Sequence, residues 1–187
     1  MELTTSHIQF IKEHATDDLT RLLLSAAKYP GMDIPFLVDQ IAVRRQIREK
    51  LPSWFENGQL VFPAKIAAEQ CSSEQTAAYK QELIGESWTI CDLTGGLGID
   101  SYFLSRKAKQ LTYIERFPVY CEAAKHNFSV LEANNITIIN VMPPKLLIPF
   151  RRSMLSISIL HAEENPTSGF LLCRIVNLTC PDCCRRF

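Results

Sequence analysis

An α/β fold, with a helical N-terminal region ahead of an incomplete Rossmann-like sheet, is predicted for this chain by three observations. Apolar residues between 1 and about 86 recur at helical spacing and are punctuated by capping residues and prolines. Thr89-Ile-Cys-Asp92 is a short apolar run ending in an acid, followed by a glycine turn, Gly95-Gly-Leu-Gly98, and a new helical pattern from Ile99. Leu111-Thr-Tyr-Ile-Glu115 is a second such run, also ending in an acid. The last two observations describe a strand–loop–helix–strand unit, the building piece of a sheet with crossover helices.

The elements follow in order. Ser6 and Gln9 make a capping box ahead of Ile8 and Ile11, which starts a first helix. Thr16 is placed to cap a second, with Asp17 and Asp18 in its first turn and Leu19, Leu22, Leu23 and Ala26 on one side. Tyr29-Pro-Gly-Met32 breaks it. Pro35 suits the first turn of a third helix through Leu37, Ile41 and Ile47, which stops before Pro52. That helix carries Arg44, Arg45, Arg48 and Lys50, and Trp54 and Phe55 follow. They read either as a phosphate-facing surface with stacking aromatics or as a solvated helix face with the aromatics in the core. The zero formal net charge favours the second. Ser72 and Gln75 form another capping box, predicting a helix from Ser73 to Ile84 closed by Gly85. Its N-terminus could border a ligand pocket, though spacing alone favours a scaffold helix covering the sheet.

The glycine turn carries the chemistry. Gly95, Gly96 and Gly98 lack a Cβ, so the backbone can take positive φ and approach a ligand closely. The helix opening near Ile99 offers unpaired N–H groups to polar ligand atoms. Glu115 falls near the distance at which an acid accepts from ribose hydroxyls. A dinucleotide fingerprint would need glycine where Ser101 stands, so that cofactor class fails at its helix-packing position. Asp92-Leu-Thr-Gly-Gly-Leu-Gly98 instead resembles the S-adenosylmethionine loop of class I methyltransferases, acid-Leu-Gly-x-Gly-x-Gly. Thr94 stands where that pattern has its first glycine. A glycine-rich turn with no cofactor is the bland alternative.

After Glu115, Pro118 starts a helix through Tyr120, Ala124, Phe128 and Leu131 that ends at Asn134-Asn135, and Ile136–Val141 is the third strand. His126 is expected on the helix surface with no catalytic role. Asn140 is the nearest candidate for the polar group that the class offers to the adenine amine, and it matches that pattern poorly.

Glu69–Lys80, Asp92–Ser101, Tyr113–Arg116 and Cys121–Phe128 together resemble one bacterial, Bacteroides-type family. It comprises class I methyltransferases with a THUMP-like or ferredoxin-like C-terminal region, and the resemblance covers residues 1 to about 140. It implies a Rossmann-like sheet, S-adenosylmethionine as cofactor and RNA as the substrate class. By position, Asp92, Thr94, Gly95, Gly96 and Gly98 would hold the methionine part and Glu115 the ribose. No catalytic residue is assigned.

Composition bounds the rest. Zero net charge gives no global electrostatic footprint for nucleic acid or anionic membrane. The start has no basic-then-apolar signal pattern, and no apolar run approaches the ~20 residues that span a bilayer. The cysteine count, seven, is odd, which with no signal argues for reduced thiols and a cytoplasmic protein. The expected organisation is a helical region over 1–86, a Rossmann-like cofactor half over 87–141 and an irregular tail over 142–187.

The tail holds five of the ten prolines and four of the seven cysteines, and no alternation of strand and helix resumes in it. No Asp-Pro element of the kind that orients a nucleophile after the fourth strand is present, since the only Asp beyond residue 100 is Asp182. The sheet is therefore expected to be incomplete, in a chain truncated or out of frame after about residue 141. A non-catalytic binding or remnant protein is the alternative. A metal site at Cys180-Pro-Asp-Cys183, with Cys173, Cys184 and His161, is a further one; a lone CxxC is weak evidence for it, and no metal ligand is assigned.

Overall fold

A computed structural model describes residues 2–86, 88–141, 157–164 and 171–178, the last two segments as strand backbone. The first helix, α1 (Thr5–Glu13), starts earlier than its expected cap. Thr4 accepts from the His7 N–H, and His7 Nδ1 accepts from the Thr4 N–H, so the imidazole takes the part expected of Gln9. For α2 (Leu19–Leu24) the cap is Asp18 and not Thr16. Its carboxylate accepts from two first-turn amides, those of Thr20 and Arg21, which suits the positive end of a helix. The third helix, α3 (Ile34–Ile47), is capped by Asp33 with Pro35 in its first turn, as expected of that proline. Pro52 then opens α4 (Pro52–Glu56), and α5 (Lys65–Gln70) follows; neither short helix is signalled by periodicity. Ser73 caps α6 (Glu74–Glu82), one residue beyond the expected Ser72, which leaves Ser72 for another use.

The predicted unit is present as β1 (Thr89–Asp92), α7 (Ile99–Ser105) and β2 (Gln110–Glu115), continued by α8 (Pro118–Val130) and β3 (Ile136–Asn140). β1 with β2 and β2 with β3 are parallel, in a register that sets Asp92 beside Tyr113 and Glu115 beside Asn140. The α/β Rossmann-like class expected from the sequence is what these elements build. Two strands, β4 (Ile157–Glu164) and β5 (Leu171–Leu178), occupy part of the stretch that read as irregular. Both join the sheet antiparallel, giving the order β3-β2-β1-β4-β5. An antiparallel pair needs no crossover helix, so the alternation sought in the sequence was the wrong signal for it. Of the cysteines proposed for a metal, Cys180, Cys183 and Cys184 lie outside the described residues.

One core cluster crosses from the helical region into the sheet layer, joining Ile47, Leu51 and Trp54 to Leu97, Ile99 and Phe103. A buried connector, Leu60-Val61-Phe62, runs between the two layers without belonging to a helix or strand. Its backbone groups cannot be left unpaired there. The Asn127 amide on α8 both accepts from Val61 N–H and donates to its carbonyl, each at 2.8 Å. The Gln40 amide on α3 does the same for Phe62, at 3.0 and 2.8 Å. Among the described residues no helix is long and apolar enough to cross a membrane.

Candidate functional site

Asp92, Glu115 and Asn140 end three neighbouring parallel strands, so their side chains meet at one edge of the sheet, where ligands bind in open α/β folds. Asp92 is buried. Its Oδ1 accepts from the Thr94 N–H at 2.9 Å and the Thr94 hydroxyl at 3.3 Å, and its Oδ2 from the Ser101 hydroxyl at 2.6 Å. The loop is thus closed across its own mouth by one carboxylate. Thr94 is tolerated where the methyltransferase loop has glycine because its backbone does not take positive φ, and its hydroxyl adds to the closure.

Gly96 does need its freedom, with φ +55°, as does Gly98 at +87°. The Gly96 peptide is held from both sides by β2. Its N–H donates to Glu115 Oε2 at 3.0 Å, and its carbonyl accepts from the Tyr113 hydroxyl at 2.6 Å. Glu115 also accepts from the Phe117 N–H at 2.9 Å through Oε1. Each oxygen of Glu115 keeps lone-pair capacity, so the acid is oriented and not consumed. Asn140 donates to the Glu115 carbonyl at 2.9 Å and the Cys121 sulfur at 3.5 Å, which spends its amide hydrogens and leaves Oδ1 as an acceptor.

All six residues expected to hold a cofactor therefore converge: Asp92, Thr94, Gly95, Gly96, Gly98 and Glu115. Tyr113 was not anticipated. Fully buried beneath the loop, it packs edge-to-face on Phe128 at 5.7 Å, and burial pushes its phenol far above the usual range. Its place two residues before Glu115, on the inward alternation of β2, was the available signal. Ser72, freed from capping, donates to Asp100 Oδ2 at 2.7 Å, and the buried Lys80 ammonium reaches Asp100 Oδ1 at 3.1 Å and Ser72 at 2.9 Å. These contacts tie Ser72, ahead of α6, and Lys80, near its end, to the first turn of α7, which is the scaffold role that spacing favoured. His126 is half-buried and bonds the Gln59 carbonyl at 2.9 Å.

Burial raises the Asp92 carboxyl above its ordinary range, against the opposing hydrogen bonds from Ser101 and Thr94. The folded state then holds the Asp92 proton more tightly than the unfolded chain. The stability it contributes is full below the unfolded value of ~3.9 and falls as pH rises through the raised one. Asp92→Asn keeps the Thr94 bond, and the Ser101 hydroxyl can turn to accept from the new amide. The variant is expected to melt above the wild type at pH 8, with the gap closing as the pH approaches ~4. Parallel melting curves at every pH would contradict it.

No protein-family profile matches the chain, and no curated protein matches it. A solved candidate methyltransferase from Porphyromonas gingivalis W83 is 34% identical and aligns with 72% of this chain at a TM-score of 0.62. The match covers 33% of that protein, so the chain spans about a third of the length of the solved structure it resembles. Trm5b from Pyrococcus abyssi aligns at 18% identity over 41% of this chain and 24% of its own, TM-score 0.38. A precorrin-6y C5,15-methyltransferase from Geobacter metallireducens GS-15 aligns at 20% over 41% and 42%, TM-score 0.36. The overlap of these two is too small to bear on the fold. The Porphyromonas likeness supports a methyltransferase-type α/β protein.

Proposed function

We propose that this chain is the S-adenosylmethionine-binding part of a cytoplasmic class I methyltransferase acting on RNA. Its relatives would be the Bacteroides-type enzymes with a THUMP-like or ferredoxin-like C-terminal region. The observation that carries the reading is the clamp on Gly96, which presents a Cβ-free peptide and an oriented carboxylate at one edge of the sheet. Among the described residues a Cβ at Gly96 would meet nothing nearer than the Thr94 carbonyl at 3.5 Å, which leaves room for a ligand to approach. The acceptors suit a nucleoside: Glu115 for the ribose hydroxyls, Asn140 Oδ1 for an adenine amine, with the exposed Phe117 beside them. When bound, the cofactor supplies an electrophilic methyl group. The residues of this chain bind and orient its nucleoside end.

Calorimetry tests this. The full chain is expected to bind S-adenosylmethionine and not NAD, and Glu115→Ala is expected to weaken binding by roughly 10- to 100-fold, the value of hydrogen bonds to a charged acceptor. Equal affinity in wild type and variant, or a preference for NAD, would sink the reading.

A second reading, a cofactor-binding protein that transfers nothing, is favoured by the direction of β4. Because it runs antiparallel to β1, with Ile159 beside Asp92 and Ala162 beside Thr89, its carboxyl end lies at the far edge of the sheet from the loop. An acceptor-orienting element following that strand would start from the wrong edge. Tritiated methyl incorporation into RNA by a chain already shown to bind the donor separates the two readings.

A further inference from the structure

A net charge of zero does not exclude a local excess of cations. A cleft of about 610 Å³ opens beside α1, α3 and α4. That volume lies within the ~300–1,000 Å³ of small-ligand sites. Lys12, Arg44, Arg45 and Arg48 line it, against one carboxylate, Glu56. Arg44 is buried, with its guanidinium 5.2 Å from the centre of the Phe62 ring and donating to the carbonyls of Asn57, Gly58 and Leu60. Its Nε has no partner, and no carboxylate lies within ion-pair distance among the described residues. Burial lowers its pKa to about 10, so it remains a cation at neutral pH. A buried cation without a counter-charge is costly, and an anion bound nearby would offset that cost.

The other three cations keep donors free. Arg45 spends Nε and Nη2 on the carbonyls of Ala15, His14 and Asp17, which fixes its head and leaves Nη1 unused. Arg48 lies over the Phe55 ring at 5.7 Å and makes no hydrogen bond among the described residues; nor does the Lys12 ammonium. Guanidinium forks match phosphate oxygens in shape as well as charge. Trp54 and Lys50 take no part: Trp54 is core, and Lys50 bonds the carbonyls of Ala68 and Glu69.

We propose that this cleft holds backbone phosphate of a single-stranded RNA, contacted by Arg48, Lys12 and the free Nη1 of Arg45, with the buried Arg44 charge behind them. The inference rests on the RNA reading above. The test uses the full chain and a fluorescein-labelled, unstructured RNA oligonucleotide, with anisotropy followed across a salt series. Lys12→Gln/Arg48→Gln is expected to bind about tenfold or more weakly at low salt and to reduce the salt slope by ~0.7 for each phosphate no longer neutralised. Arg21→Gln, on α2, should leave both unchanged, and melting curves confirm that every variant is folded. A wild type that binds no RNA would remove the RNA reading and this site with it. RNA binding with the same affinity and slope in the double variant would overturn the cleft alone. Displacement of the RNA by ATP at comparable concentration would show a free-nucleotide site and overturn it as well.

Discussion

Gly95→Ala is expected to loosen the loop and destabilise the chain together, by about 1–3 kcal/mol or more, the range for overpacking a filled core. A methyl group there would overlap the Tyr113 ring, which has nowhere to go. The ring packs on Phe128, and its hydroxyl is bonded to the Gly96 carbonyl, so any retreat breaks the clamp that orients the loop. Gly98→Ala adds an approach of 2.8 Å to Phe128 to the strain of φ +87°. Gly31→Ala is the control. It has a similar φ of +84° but no described atom within 4 Å of an added Cβ, so it should cost only the ~1–2 kcal/mol of left-handed backbone. The measurement is denaturant unfolding of the three variants beside S-adenosylmethionine affinity. If Gly95→Ala costs no more than Gly31→Ala, the loop is not held by Tyr113 in the way its packing and hydrogen bond suggest.

The same loop shows what a sequence can and cannot disclose. Asp92, the glycines and Glu115 were legible because their chemistry depends on residue type at fixed spacing, and a strand–loop–helix unit brings such residues together whatever surrounds it. Tyr113 was hidden because an aromatic on the inward side of a strand looks like any core residue until its hydroxyl is seen to reach the Gly96 carbonyl. Cap positions slipped for a related reason. Thr4 and Asp18 outcompete Ser6 and Thr16 through interactions that differ at the scale of about 1 kcal/mol, too fine for pattern reading. The basic stretch after Ile41 divides: Arg45 and Arg48 are exposed and Trp54 is core, as a solvated helix face requires, but Arg44 departs from that reading. Arg44 is neither solvated nor free for phosphate. It is buried on backbone carbonyls, and only a three-dimensional path of the Asn57–Leu60 turn could reveal that. β4 and β5 were unreadable because the pattern being sought belonged to parallel crossovers.

Asn127→Leu is expected to be among the most damaging single changes in the chain, although it alters neither charge nor the cofactor edge. The side chain is fully buried, and leucine is close to it in size, so little volume changes. What disappears is the pair of bonds to Val61, a residue with no strand partner to take over its N–H and carbonyl. Leaving a buried donor or acceptor unmade costs about 1–3 kcal/mol for each, so the variant should lose roughly 2–6 kcal/mol. That is a large share of the ~5–15 kcal/mol that holds a typical domain together. Gln40→Leu strips Phe62 in the same way from the other side, and Val61 and Phe62 adjoin in one connector, so the double variant should lose less than the two single losses added. Both amides hold one buried segment between the helical region and α8, which makes that segment the seam between the two halves of the molecule. Unfolding followed by fluorescence of Trp54, in the helical half, in a Trp88→Phe background, and by hydrogen exchange on β1 and β2, in the sheet half, reads the seam directly. In the wild type the two probes should report one transition, and in Asn127→Leu the helical half should open first. Coincident transitions at wild-type stability would show that the core shared by Trp54, Leu97 and Phe103 holds the halves together without the amide.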